Sequence, residues 1–410
     1  MNITTPHVLV SGAGIAGLAL ALQLIRGGVR TTVVERAEAP RPGGQAVDLR
    51  GASREVAERM GLMPGIERRR VREIGMSYVD ARGRTFGRMS MADFDGNGAV
   101  AEIEIARGDL ADVLREALEA EASELLELRF GDRIVAVDQH DEGVDVRFER
   151  GEAARFDLVV GADGVHSATR RFAFGPEEDF AHALGGYAAF FTLPTPADIE
   201  PGWFSMRSVP GITFGIRPDR DPATSKAILT IRTDRDPALR GDRVAQRTLI
   251  RRLLQGAGWH ADTIATAMDD AEDFYFDELV RIDLGAPISG RIALLGDAAS
   301  CGSPMTGMGT ATALIGAYLL AARITTACGD LPGALARYAD DIAPFAEAGK
   351  KIPYGGIERM VPASRVGAAF SRMLVGVTLS RPFRPLMRRA FAAGGTELSL
   401  PEVDYAVPVR

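Results

Sequence analysis

Cysteine is scarce: Cys301 and Cys328 are the only two in 410 residues. Two cysteines cannot build a disulfide framework, and neither stands at metal-ligand spacing from a histidine. The five histidines (His7, His140, His166, His182 and His260) are scattered, with no HxxH or HxxxH pair. No metal site is expected. Long apolar runs are also missing. The best stretch, Ala311 to Ala322, falls short of the roughly 18 residues a membrane span requires. No basic, then apolar, then cleavable leader opens the chain. Positive charge is not in excess either: 48 Lys and Arg face 55 Asp and Glu, a formal charge of −7, which argues against nucleic acid as a partner. These absences together predict a reduced, cytoplasmic protein without stable membrane insertion.

Glycine is what the chain has in surplus. Its 46 glycines are about one residue in nine, against roughly 7% in an average protein. Such a surplus belongs to tight turns or to close approaches between backbone and ligand. Its clearest cluster is Gly12-Ala13-Gly14-Ile15-Ala16-Gly17, directly after the strand-like run His7–Ser11 and before the apolar helix-forming stretch Leu18–Arg26. Thr31–Glu35 then reads as a second, β-branched strand. The unit is βαβ with glycines at its first turn, and Glu35 ends the second strand about 20 residues on, which together make a dinucleotide-binding fingerprint. Gly12 makes the turn, Gly14 lets backbone approach a pyrophosphate, and Gly17 lets helix and strand pack closely. The phosphate would sit on the helix N-terminus, with Glu35 taking the ribose hydroxyls of an adenosine.

Two later segments extend this picture. Asp157–Gly161 followed by Ala162-Asp163-Gly164-Val165-His166-Ser167-Ala168-Thr169-Arg170 is one. Ala293-Leu294-Leu295-Gly296-Asp297-Ala298-Ala299, with Pro304-Met305-Thr306-Gly307-Met308-Gly309 after it, is the other. Each ends a buried strand beside an aspartate, placing a carboxylate at the carboxyl edge of a sheet, where α/β ligands bind. Three such edges suit one extended cofactor, whereas a nicotinamide dehydrogenase needs only the first.

In these three motifs, their order and their spacing, the sequence resembles the single-component FAD-dependent aromatic monooxygenases of the hydroxybenzoate hydroxylase type. Gly43-Gly44-Gln45-Ala46-Val47-Asp48-Leu49 and the compact length are most similar to the tetracycline-inactivating and polyketide-modifying branch. The resemblance implies an α/β fold: a Rossmann-like FAD-binding domain (residues 1–72, 100–172 and 287–350) interleaved with an antiparallel-sheet substrate domain (73–99 and 173–286). A C-terminal helical tail (351–410) follows. It implies FAD as cofactor, NADPH or NADH as reductant, and O2 and a hydrophobic aromatic small molecule as partners. Flavin reduction, oxygen addition at C4a and transfer of one oxygen atom from the hydroperoxide make up the implied cycle. A monomer or weak homodimer is expected.

Cofactor contacts are expected at Gly12, Ala13, Gly14, Ala16, Gly17, Glu35, Arg36, Gly44, Asp48, Asp163, Gly164, Gly296, Asp297, Pro304, Gly307, Met308 and Gly309. Arg41 resembles a nicotinamide-cofactor contact. Arg107, Pro304 and Gly307 are expected to face the flavin, with no side-chain acid or base assigned. The chain departs from the family at Ser300, where histidine is common, at Ala311 in place of an asparagine, and at Gly316 in place of an aspartate.

The substrate wall is expected from alternation: Phe204 and Met206 on one strand, Phe214 and Ile216 on the next, with Pro304 opposite. In the tail, Val366, Ala369, Phe370, Met373, Leu374 and Val377 form a stripe at helical spacing, expected to pack on the protein's own surface. No Ser-His-Asp or Cys-His set is evident, which disfavours nucleophilic hydrolysis. A same-fold flavin oxidase or reductase without oxygen insertion, and a non-catalytic FAD or hydrophobic-ligand binding protein, are the alternatives. A halogenase is disfavoured because its WxWxIP signature is absent.

Overall fold

The computed structural model describes residues 5–40, 43–90, 103–121, 124–352, 355–383 and 398–403. Two sheets take up most of its strands. The first orders six of them as Ile288–Ser289, Ile292–Leu294, Leu158–Gly161, His7–Ser11, Arg30–Glu35 and Leu126–Phe130. All neighbours are parallel except the first pair. Val8, Leu9 and Val10 are fully buried, as befits a parallel strand covered on both faces, and this is why its sequence is a continuous apolar run. One face is covered by the helices Ile15–Arg26, Arg107–Ala120 and Gly309–Thr325. The other carries a three-stranded layer, Ile134–His140, Gly143–Phe148 and Ala154–Phe156.

The buried strand expected from Asp157 begins at Leu158, because Asp157 is a junction between two strands. Before it, Ala154–Phe156 pairs antiparallel with Gly143–Phe148; after it, Leu158–Gly161 joins the parallel sheet. The Asp157 carboxylate accepts from the His7 backbone N–H at 2.7 Å and pins the junction.

The second sheet has eight strands, ordered Ser300–Cys301, Tyr275–Asp283, Ala181–Pro194, Thr224–Arg232, Ile212–Pro218, Trp203–Val209, Gly75–Val79 and Thr85–Ser90. All pairs are antiparallel but Trp203–Val209 with Gly75–Val79. Helices Arg243–Leu254 and Ala261–Asp270 cover its far face. A two-stranded ribbon, Ala46–Leu49 with Ile103–Ala106, lies beside the first sheet's helices.

The far-face packing corrects one expectation. Phe214 and Ile216 point away from the first sheet, fully buried among Leu249, Ile250, Leu254 and Ile264. Register pairs Ser205 with Ile216, and Phe214 with Arg207, so Phe204 and Met206 stand on the opposite face. Adjacent strands were each read with the right alternation, but their relative phase is set by pairing and not by either sequence.

The tail differs too. Arg365–Thr378 is helical, yet Val366, Phe370, Met373, Leu374 and Val377 are all exposed. Val375 and Leu379 meet Gly87, and the Arg372 guanidinium lies 5.8 Å from the Phe86 ring. The helix therefore docks on the Thr85–Ser90 strand by a face other than the expected stripe. No helix among the described residues is long and apolar enough to cross a membrane.

The first turn shows why its glycines stand where they do. Gly12 has φ of +108°, and a Cβ there would lie 2.5 Å from the Ala162 carbonyl oxygen. A Cβ on Gly17 would lie 1.9 Å from the Gly12 carbonyl oxygen. Neither atom belongs to a movable side chain. Gly17→Val is expected to destabilise the apo protein in urea unfolding by about 3 kcal/mol or more. Gly28→Ala, at a left-handed position (φ +76°) with open space around it, should cost only about 1 kcal/mol. Similar midpoints for the two variants would contradict the close-approach account.

Candidate functional site

The ends of three parallel strands meet around the start of helix Ile15–Arg26. That helix has Gly14 as its N-cap residue, no side-chain cap and no acidic residue in its first turn, so its leading N–H groups are left to an outside acceptor. Unlike its two neighbours, Gly14 is not required by contacts within the protein. A Cβ there would meet only the Arg107 guanidinium, at 3.8 Å. Glu35 closes the next strand, its carboxylate braced by the backbone N–H groups of Ala13 (3.0 Å) and Ala37 (2.9 Å). Arg36 follows it, exposed.

The Gly296 turn reaches the same helix: a Cβ on Gly296 would lie 3.1 Å from the Ala16 Cβ. Asp297 follows it, half-buried, with burial pushing its pKa up and the Arg107 charge opposing that shift. The chain then turns through Ser303, a non-glycine residue at φ +72°, into Pro304–Thr306 and the helix Gly309–Thr325. This second helix also lacks a side-chain cap and has no acid in its first turn. Pro304, Gly307 and Gly309 are exposed, with Met308 half-buried beside them. Further along, Gly316 lies where a Cβ would be 2.8 Å from the Leu295 side chain. The missing aspartate there lets helix and strand pack.

Arg107 starts helix Arg107–Ala120 and is exposed. Its position is fixed by backbone bonds from Arg107 N–H to the Gln45 carbonyl (3.0 Å) and from Gly108 N–H to the Gly43 carbonyl (2.8 Å). Gly44 lets the two segments close up, since its Cβ would be 3.3 Å from the Arg107 Cβ. Asp48, on the ribbon strand Ala46–Leu49, is paired with Arg50 at 2.6 Å. Arg41 lies outside the described residues.

The Asp163–Arg170 segment works as a latch. Asp163 accepts from the Ser167 hydroxyl, and from the Thr169 N–H and hydroxyl at 3.0 Å each. Arg170 is fully buried and donates to the carbonyls of Ala298 (3.1 Å) and Val165 (2.7 Å). The latch thus ties the second strand end to the Gly296–Ala298 turn of the third. The Asp163 carboxylate is occupied within its own turn, and Gly164 (φ +82°) has open space beside it.

Above these turns lies the near face of the second sheet. Phe204 and Met206 are on it, as are Phe190, Ile228 and Tyr275. Met305 of the Pro304–Thr306 turn packs on the cluster containing Phe190, with Ile228 beside it. The near face of the sheet and the Pro304–Thr306 turn therefore meet through apolar side chains. Arg217 closes one end, its guanidinium 5.5 Å from the Phe204 ring and bonded to Glu73 (2.7 Å) and Glu104. Burial raises the Glu104 pKa, Arg217 opposes, and the neighbouring Glu73 raises it further. Burial thus favours the neutral form of Glu104 beside the Arg217 charge.

Sequence reasoning missed the polar chain at the other end. Tyr275 stacks on Phe190 (5.7 Å, 17°), and its hydroxyl donates to Asp277 at 3.0 Å. The other Asp277 oxygen meets His166 Nε2 at 3.1 Å, and His166 Nδ1 meets Glu177 at 3.0 Å. Hydrogen bonds first with Asp277 and then with Glu177 raise the His166 pKa to about 9, against desolvation. Burial resists ionisation of Asp277, but the bond and charge of His166 hold its pKa below the ordinary value. Period-two spacing puts Tyr275 and Asp277 on one face, but no motif marks them, and His166 is masked by its place inside a glycine-rich turn.

Comparison with known proteins agrees with this geometry. The FAD binding domain family matches residues 5–349. An uncharacterised protein of Mycobacterium tuberculosis is 37% identical over 369 residues, 86% of this chain and 97% of that one. A flavin-dependent monooxygenase of Legionella longbeachae is 32% identical over 344 residues, covering 84% and 87%. The crystal structure of tetracycline destructase Tet(55) superposes with a TM-score of 0.79 at 31% identity, covering 98% of this chain and all of that one.

The imidazolium of His166 has a thermodynamic signature. With its pKa raised from 6.5 to about 9, its contribution to stability is fully present below pH about 6.5 and lost as pH rises through 9. Wild-type apo protein is expected to lose more stability between pH 7 and 9.5 than His166→Gln does. Parallel urea midpoints across that range would refute the charged assignment.

Proposed function

The chain belongs to the FAD-binding, flavin-dependent monooxygenase family, and on that premise we propose that it inserts one oxygen atom of O2 into an aromatic or polycyclic, polyketide-like substrate, with NADPH or NADH as electron donor. The observation that carries this reading is the apolar near face of the eight-stranded sheet set against the Pro304–Gly309 turn, beside two uncapped helix N-termini, Glu35, Asp297 and Arg107; the substrate would enter the gap between the two. Each hydroxylation uses one O2, one NAD(P)H and one proton, and releases one water and NAD(P)+.

Bound FAD supplies the electron transfer and oxygen activation that no side chain here provides. The residues present suit its parts. Gly14 and the leading N–H groups of helix Ile15–Arg26 would take the diphosphate, because an anion there completes a helix start that no side chain caps. Glu35, its carboxylate already oriented by Ala13 and Ala37, would accept from the adenosine ribose hydroxyls. Asp297 would bind the ribityl chain, and its raised pKa fits a carboxylate awaiting hydroxyl donors. Arg107 sets a positive charge between Gly14, Gly44 and Asp297. The helix Gly309–Thr325 turns its N-terminal dipole toward the same space and would stabilise negative charge developing on the ring.

For the substrate, Phe204, Met206, Phe190, Ile228 and Met305 provide apolar walls that exclude water from the reacting atoms. Pro304 and Gly307 form the opposing floor. The five adjacent strands from Tyr275–Asp283 to Trp203–Val209, separated by about 4.8 Å each, give a face broad enough for fused rings. The FAD-binding turns and the eight-stranded sheet are then the two working parts of the enzyme.

Purified protein is expected to be yellow, to bleach anaerobically with NADPH or NADH, and on readmission of oxygen with a polycyclic phenol to give a product one oxygen atom heavier. Arg107→Ala should weaken FAD binding at least tenfold in fluorescence titration, about 1.4 kcal/mol. Reoxidation that yields only hydrogen peroxide with every aromatic tested would favour an oxidase. Absence of reduction by either nicotinamide would favour a binding protein.

A further inference from the structure

The substrate space has one oxygen whose hydrogen-bonding sense is fixed by its surroundings. Tyr275 is on the near face of the sheet, stacked on Phe190, and its ring is partly exposed. Its hydroxyl proton is committed to Asp277 Oδ2 at 3.0 Å. A carboxylate can only accept, so that proton has no competing use while Asp277 stays ionised. His166, from the Asp163–Arg170 latch, secures this by sitting between Asp277 (3.1 Å) and Glu177 (3.0 Å). With both ring nitrogens donating, the imidazolium holds each carboxylate in its charged form.

Other charges around the chain reinforce it. Arg170 lies 3.6 Å and Arg240 3.9 Å from Glu177. Arg107 and Asp297 act on Tyr275 with opposite signs, and Cys301 is near enough for Asp277 to bear on it. Its thiol is held neutral by burial and by Asp297, so it adds no charge. Although the Tyr275 ring is partly exposed, desolvation of its oxygen and the Asp277 charge push its pKa up. The phenol remains neutral and its proton stays on the bond to Asp277.

We propose that Tyr275, oriented by Asp277 and His166, presents only lone pairs to the gap and so selects substrates carrying a hydrogen-bond donor, a ring hydroxyl or N–H, over the same ring with an ether or carbonyl at that place. This rests on the reading of the gap as the substrate space. Tyr275 is the group that meets the substrate; Asp277 and His166 are positioning residues acting through it. An acceptor placed against the Tyr275 oxygen leaves two lone-pair-bearing atoms facing each other without a proton, which costs far more than a lost methylene contact.

The test uses FAD-loaded enzyme without nicotinamide, so that nothing turns over, and follows the flavin absorbance change as ligand is added. The probes are matched pairs: 2-naphthol with 2-methoxynaphthalene, and 2-hydroxyanthraquinone with 2-methoxyanthraquinone. Wild type is expected to bind each hydroxyl compound at least tenfold more tightly than its methyl ether. Tyr275→Phe should bring the two members of each pair within about twofold, with the ether's own affinity unchanged. Asp277→Asn offers the tyrosine a donor instead of a pure acceptor, freeing the hydroxyl to turn, and should shrink the preference in the same way while leaving FAD affinity intact. His166→Gln should lower the preference partially.

Equal binding of hydroxyl and ether by wild type overturns the inference while leaving the substrate space in place. So does a preference that survives in Tyr275→Phe. Ether and hydroxyl affinities falling together in Asp277→Asn, with weaker FAD binding, mark the chain as structural and also overturn it. If none of the four probes perturbs the flavin of the wild type, the proposed substrate space itself is wrong and the inference falls with it.

Discussion

Everything at the site depends on three strand ends being brought into backbone contact. The Gly12 turn abuts the Ala162 carbonyl, Gly17 lies against Gly12, and Gly296 touches Ala16. No side chain fits between these segments, so the first helix starts where two neighbouring strands end. That geometry leaves the helix N–H groups, the Glu35 carboxylate and the Asp297 carboxylate pointing into one trough. Arg170, fully buried, keeps two of the ends together through the carbonyls of Ala298 and Val165. A guanidinium buried this way is stable only because those carbonyls and Glu177 are at hand.

The second sheet converts the trough into a covered site. Its near face carries apolar side chains toward the turns, while its charged groups are neutralised in place. Arg217 is held by Glu73 and Glu104, and Lys226 lies between Asp219 (3.3 Å) and Asp273 (3.4 Å). Each cation of this face is thus matched by carboxylates, and the Tyr275–Asp277–His166 chain stands apart from them. His166 comes from the first sheet's latch and Asp277 from the second sheet. One ion-paired histidine thus joins the segment that orders the turns to the strand that carries Tyr275.

Most of the cofactor half was legible in advance because its signals are local. A glycine-rich turn between a strand and a helix, an acidic residue at the next strand end, and an aspartate after a buried strand each lie within a few residues of one another. The departures at Ala311 and Gly316 were legible as differences but not as packing: only the Leu295 side chain beside Gly316 supplies the reason. The substrate half was legible as strands and poorly as a surface. Alternation in Phe214 and Ile216 is real, but the face it addresses belongs to the core under two helices. The tail showed the same weakness, since its apolar stripe is exposed and Val375 and Leu379 make the contact.

By itself the sequence determined the glycine-rich βαβ unit and the order of the three motifs, and through their resemblance the membership of the flavin monooxygenase family. Those follow from short-range patterns in which spacing carries the physics. Only the tertiary structure decided which side of the second sheet faces the turns, that Asp163 is spent on its own turn, and that Tyr275, Asp277 and His166 form one chain. Strand phase and the meeting of residues 111 positions apart are set by pairing register and by how two sheets pack, and neither leaves a periodic trace along the chain.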